Sequence, residues 1–166
     1  MAVFYGGTTI KGLDKVLRNL NKEIAKIEGA TLKGMLRGAA IIRKSMDSSP
    51  PLIPVDTGAM RSSWFIVTNN ATQIAGKQTK FHNRPSLEER MANDHSSAIS
   101  SAMEMIRGKE PAIAFGFSAF YTDYVHENMG ATFKRSGAGP KFFEAAIKGT
   151  QKQVITVIRS EARIRK

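Results

Sequence analysis

Apolar residues recur from Leu13 at steps of three and four, at Leu13, Val16, Leu17, Leu20, Ile24 and Ile27. That is the period of one helix face. After Gly29 the stripe resumes at Leu32, Met35, Leu36, Ala39, Ile42 and Met46, until Ser48-Ser49-Pro50-Pro51 stops it. The spacing predicts one long helix or a broken pair. Gly29, Gly34 and Gly38 lower its intrinsic helicity, so packing must hold it, and they permit another helix to approach closely. Upstream, residues 1–10 read as a short strand or extended arm.

The period then changes. Ser62 to Thr68 is rich in aromatic and β-branched residues and predicts a strand, with Asn69-Asn70 as the turn after it. Gln73 to Phe81 is placed to pair back as a second strand. Asn83 to Asn93 is polar and reads as a loop with some helix after Pro85. Ala98, Ile99, Ala102, Met103 and Ile106 predict a short amphipathic helix over Ser97 to Arg107, ended by Gly108. Ala112 to Phe117 predicts a buried strand, and Phe120 to Glu127 a single helical turn carrying Tyr121 and Tyr124. Residues 128–139, with Gly130, Gly137 and Gly139, read as a flexible loop.

Pro140 is a natural first-turn residue for the last helix. Phe142, Phe143, Ala146, Ile147, Val154, Ile155, Val157 and Ile158 mark its apolar face, close to the C-terminus. Lys141, Lys148, Lys152, Arg159 and Arg163 fall on one stripe opposite. The expectation is a single α+β domain over residues 1–166, with a long N-terminal and a long C-terminal helix packed on a small, mostly antiparallel sheet. Trp64, Phe65, Phe115, Phe117, Phe142 and Phe143 are expected in its core, where they have apolar partners.

Composition narrows the class. Hydrophobic residues at 42% and charged residues at 23% describe a globular chain. Cysteine is absent, which removes disulfides and thiolate-ligated zinc. The first residues lack the basic-then-apolar order of a signal peptide, and no run of apolar residues is long enough for a membrane span. A protein held in a reducing cytoplasm is the expectation. The net charge of +11 is uneven: residues 1–48 carry +5, residues 49–127 carry −1 and residues 128–166 carry +7. Basic ends around a neutral middle suggest a polyanion or an acidic protein surface as neighbour, or two solvated lysine-rich helix faces.

The densest local signal is Pro54-Val55-Asp56-Thr57-Gly58-Ala59-Met60-Arg61-Ser62-Ser63-Trp64. Asp56 can accept from backbone N–H groups two residues on, and Gly58 can supply a positive φ. Arg61 is close enough to pair with Asp56 and aim the strand. Asp-Thr-Gly also surrounds the catalytic carboxylate of aspartic proteases, which need two carboxylates sharing a proton. In dimeric enzymes of that kind an apolar strand leads into the tripeptide; here Ser49-Pro50-Pro51 precedes it and the chain ends in a basic helix. His82, His95 and His126 stand apart, with no pair at helical metal-ligand spacing. No phosphate-binding glycine loop is present. No catalytic, cofactor or metal residue is assigned.

Read whole, the motif resembles the Pro-x-Asp-Thr-Gly-x-Leu-Arg-x-Ser signature of the tail-completion, or neck, proteins of long-tailed bacteriophages. Gly12-Leu13-Asp14-Lys15-Val16-Leu17 is similar to the opening Gly-Leu-Asp-x-Leu of that family. Phe120 to Glu127 is similar to its Tyr-x-x-Tyr-x-Glu segment, with His126 at the variable place. Gly139 to Ala146 resembles the start of its C-terminal helix, while Glu127-Asn128-Met129-Gly130 departs from its Glu-x-Gly spacing by one residue. Four blocks in order cover most of the chain.

The resemblance implies a structural role without catalysis. It implies a ring, hexameric, around the DNA channel between head and tail, in the virion and assembled in the host cytoplasm. Its neighbours would be connector, tail-terminator or tail-tube proteins. Asp56, Thr57, Gly58, Arg61, Ser62, Tyr121, Tyr124 and Glu127 would be its structural residues. Two of the motif blocks each carry one unmatched charge, which makes Arg61 the expected partner of Glu127. The basic stripe would dock on an acidic neighbouring ring, or, ranked after that, contact genomic double-stranded DNA without reading bases. The rival readings are a small basic nucleic-acid-binding protein and, more remotely, an aspartic protease.

Overall fold

The computed structural model describes residues 13–69, 73–75, 81, 85–109 and 111–163. In chain order the elements are α1 (Leu13–Ser48), α2 (Ala59–Ser62), β1 (Trp64–Thr68), β2 (Gln73–Ala75), α3 (Pro85–Ile106), β3 (Ile113–Phe117), α4 (Thr122–Glu127) and α5 (Phe142–Glu161). The sheet has the order β2-β1-β3 and both pairings are antiparallel. The α+β reading holds, with a long helix near each end. The arm at residues 1–10 and positions 76–80 of the second strand lie outside the described residues.

β1 is central, and every residue of its Trp-Phe-Ile-Val-Thr run is buried. The reason is cover on both faces. Trp64 and Ile66 join a core built from Ala39, Ile42 and Met46 of α1 and Phe142 and Ala146 of α5. Phe65 and Val67 point the other way, onto Ile99, Ala102 and Ile106 of α3. The sheet therefore lies between the α1–α5 pair and α3. Trp64 makes tilted or edge contacts with Phe115, Phe117 and Phe143, so the six aromatics expected in the core are there or packed against it.

α1 is a single helix of 36 residues. It runs antiparallel to α5, because Gly38 faces Val154 and Gly34 faces Ile158. A Cβ on Gly34 would stand 2.8 Å from Ile158 Cα, so the absence of a side chain sets this crossing distance. Gly29 has nothing within 4 Å of such a Cβ. It lies beyond the end of α5.

Several boundaries differ from the sequence expectation. The polar loop and the short helix expected between Asn83 and Arg107 are one helix, α3, of 22 residues. Its buried positions Met91, His95, Ile99, Ala102 and Ile106 keep helical spacing, but the polar His95 interrupts the apolar pattern. β1 starts at Trp64, since Ala59–Ser62 forms a helical turn first. α5 starts at Phe142 rather than Pro140, because Lys141 takes a left-handed conformation at φ 56° and its N–H bonds the His126 carbonyl at 2.8 Å. Among the described residues no helix is long and apolar enough to cross a membrane.

Candidate functional site

The signature turn begins where α1 ends. The Ile53 N–H bonds the Met46 carbonyl at 2.8 Å, and the Leu52 N–H bonds the Gly137 carbonyl at 2.8 Å. Gly58 sits at φ 86°, as its position predicted, and its carbonyl accepts from the Ser62 N–H at 2.9 Å to close α2. The hydroxyl of Thr57, rather than the Asp56 carboxylate, accepts from the Ala59 N–H two residues on, at 3.4 Å. Asp56 turns outward instead. Its Oδ1 accepts from Lys134 Nζ at 2.6 Å, and both side chains are exposed. That hydrogen bond raises the Lys134 ammonium above its ordinary range.

Arg61 therefore has neither expected partner. Its Nε stands 3.0 Å from Asp47 Oδ1, in an ion pair without hydrogen-bond alignment. Asp47 is a hub. Arg43 donates to its Oδ2 at 2.5 Å, and Arg135 lies 3.8 Å from its Oδ1. Arg135 also donates to the carbonyls of Ile53 at 3.0 Å and Asp47 at 2.8 Å. A carboxylate in the last turn of a helix faces the negative end of the helix dipole, and guanidiniums offset that. Arg43 lies 5.8 Å from the Trp64 ring centroid, where burial lowers its pKa and Asp47 partly restores it. This cluster ties α1, the turn and the 128–139 loop together. The loop has no helix or strand, yet it is held by Lys134, Arg135 and the Leu52–Ala138 bridge.

The turn and the Tyr121 block share one cleft of about 370 Å³. Pro54, Val55, Met60, Tyr121, Val125 and Phe133 supply its apolar lining, with Asp56, Arg61 and Lys134 also at its walls. Burial raises the Tyr121 phenol pKa, and the Met60 backbone partly offsets this. The two signature blocks thus meet through Tyr121 and Val125, and not through an Arg61–Glu127 pair. Tyr124 leaves the cleft: it is 72% exposed and its hydroxyl accepts from Asn128 Nδ2 at 3.1 Å. Glu127 accepts from Lys141 and pairs with His126 Nδ1 at 2.8 Å. The Lys141 hydrogen bond, first, and the His126 one hold the Glu127 carboxyl below its ordinary range.

Ser62 is exposed, and the buried hydroxyl next to it does the linking. Ser63 Oγ donates to the Met60 carbonyl at 2.7 Å and accepts from the Ala119 N–H at 3.1 Å. Sequence reasoning missed Ser63, Asp47, Lys134 and Arg135. The one available signal was Arg43 four residues before Asp47 in a last helical turn, a spacing that pairs charges.

The basic stripe is shorter than predicted. Lys148, Lys152 and Arg159 lie exposed on α5, but Lys141 precedes the helix and Arg163 follows it at φ 54°. Lys148 pairs with Glu144 at 2.6 Å, and Lys141 with Glu127. Ile147 and Ile155, expected on the packed face, are exposed. His95 is a core residue, its Nδ1 2.5 Å from Ser118 Oγ, and His126 packs edge-on to Phe142; His82 lies outside the described residues. Among the described residues no three His, Cys, Asp or Glu side chains gather as metal ligands would. No family model, curated protein or solved structure matches this chain.

Proposed function

We propose that this chain is a structural virion protein of the bacteriophage head–tail junction, a neck or tail-completion subunit that forms a ring around the DNA channel. The ring is hexameric, assembles in the host cytoplasm, and joins connector, tail-terminator or tail-tube proteins. The reading rests on the resemblance of the four sequence blocks. The observation that supports it best is that two of those blocks, far apart in sequence, close one cleft at Tyr121 and Met60. Their residues then act as one architectural unit. Asp56 meets an ammonium at the rim, whereas a protease carboxylate must share a proton with a second carboxylate. This favours a protein without catalysis.

Imaging of assembled particles carrying labelled protein, with mass measurement of the purified chain, tests the proposal. Label at the head–tail junction is expected, as is a coding position among head and tail genes. A soluble species that never joins head or tail components overturns it. One observation favours the nucleic-acid reading: Lys152 and Arg159 have no ion-pair partner among the described residues. That reading requires a monomer or dimer whose DNA binding falls steeply with salt.

A further inference from the structure

An apolar stripe on α1 lies open, and so do two isoleucines on α5. α5 ends at Glu161, which pairs with Lys33 and Arg37 of α1. From Gly29 back to Leu13, α1 continues past that end by about 24 Å, at about 1.5 Å per residue. Along the projection Leu20, Ile24 and Ile27 are 53%, 44% and 52% exposed. Their steps of four and three put them on one face. On α5, Ile147 and Ile155 are 42% and 39% exposed, beside Lys148, Lys152 and Arg159. Leu20 to Ile27 spans about 10.5 Å and Ile147 to Ile155 about 12 Å along their helices.

The charges match as well. At about 100° per residue, Glu23 and Glu28 border the α1 stripe, each about 70° to one side. Whichever way the helix crosses, a carboxylate faces the basic row. Glu23 has its own partner in Lys26, but that pair is 3.8 Å apart and two-thirds exposed, so it yields readily to a new contact. The projection cannot fold back onto its own α5, because it is the continuation of the same unbroken helix, which has already run past the end of α5 after Gly38 and Gly34.

We infer that the projecting half of α1 docks on the outer face of α5 in a second copy of this chain. The contact is head to tail, using different surfaces on the two partners, and such contacts close into rings when the rotation permits. It rests on the ring proposed above and identifies the partner of the basic stripe as the next subunit.

The chain has no cysteine, so introduced thiols report cleanly. Ile24→Cys protein mixed with Ile155→Cys protein should form a disulfide-linked dimer on oxidation, and the double variant a ladder of larger species. Ile24→Cys mixed with Met105→Cys, exposed on α3, is the control. If the wild type is oligomeric by mass but the first mixture traps no more than the control, this interface is wrong and the ring stands. If the wild type stays monomeric at about 1 mM, where weak specific contacts populate, and also with head and tail components, both fail.

Charge exchange gives a second reading. Glu23→Lys with Glu28→Lys should weaken self-association about tenfold, and adding Lys152→Glu with Arg159→Glu should restore it to within about threefold. Far-UV circular dichroism confirms that the variants fold. Lys152→Glu with Arg159→Glu that abolishes retention on duplex DNA, while leaving the mass of the assembly unchanged, overturns the inference in favour of DNA.

Discussion

Three glycines in one helix offer a controlled test of the α1–α5 packing. Replacing Gly29, Gly34 or Gly38 by Ala gives each position the same intrinsic gain, about 0.8–1 kcal/mol in a helix interior. The surroundings differ. At Gly29 the new methyl meets nothing within 4 Å, so Gly29→Ala should stabilise by nearly the full amount. At Gly38 it meets Val154 Cγ1 at 2.8 Å. That methyl can swing away only by leaving the rotamer a β-branched residue prefers in a helix, at a cost of about 1 kcal/mol. Gly38→Ala should come out near neutral. At Gly34 the obstacle is backbone, Ile158 Cα at 2.8 Å, with Ile158 O at 3.3 Å. The helices must separate, and overpacking of this kind costs about 1–3 kcal/mol, leaving a net loss of about 1 kcal/mol. Urea unfolding followed by circular dichroism and by the single, buried Trp64 reads the series. With a slope of about 2 kcal/mol per molar urea, Gly29→Ala and Gly34→Ala should differ by about 1 M in midpoint. Val154→Ala should make Gly38→Ala favourable, while no truncation of the Ile158 side chain should rescue Gly34→Ala. Equal midpoints for the Gly29 and Gly34 variants would refute the close crossing.

Asp47→Asn should destabilise by about 2 kcal/mol in the same assay, because it strands three guanidiniums, Arg43 among them partly buried. Asp56→Asn, at an exposed pair, should leave the midpoint unchanged. Ser63→Ala leaves the Ala119 N–H without its acceptor in a buried place and should cost about 1–3 kcal/mol, with Trp64 emission reporting loosening of the adjoining strand. The carboxyls of Glu127 and Glu144 are held low in the folded protein, chiefly by hydrogen bonds from Lys141 and Lys148 respectively. Their contribution is therefore present above the unfolded pKa and lost as pH falls through the depressed folded values. Melting temperature should drop on the acid side of the ordinary carboxylate range, and Lys141→Met should flatten that limb. An unaltered acid limb in Lys141→Met would show that this pair carries no linkage.

Much of the fold is local chemistry and was legible. The stripe from Leu13 to Met46, the aromatic and β-branched run from Trp64 to Thr68 and the apolar positions from Phe142 to Ile158 dictate their own elements. Gly58 had to supply the positive φ of its turn, and Gly34 and Gly38 announced a close helix contact without naming its partner. The site was less legible. Arg61, Asp56 and Glu127 were each expected in ion pairs, and each is in one, but with Asp47, Lys134 and Lys141 instead. Charge type is written in the sequence, whereas the partner is chosen by whichever segment the fold brings within a few ångströms. For Asp56 that is a lysine 78 residues away, on a loop with no secondary structure of its own. His95 hid the first half of α3 for the same reason: a polar residue breaks an apolar pattern unless its partner, Ser118, is known to be buried beside it. The exposed faces came last. Periodicity assigned Leu20, Ile24, Ile27, Ile147 and Ile155 to packed surfaces; the length of α1 past the end of α5 leaves the first three outside the core, and Ile147 and Ile155 are exposed although α1 runs alongside them.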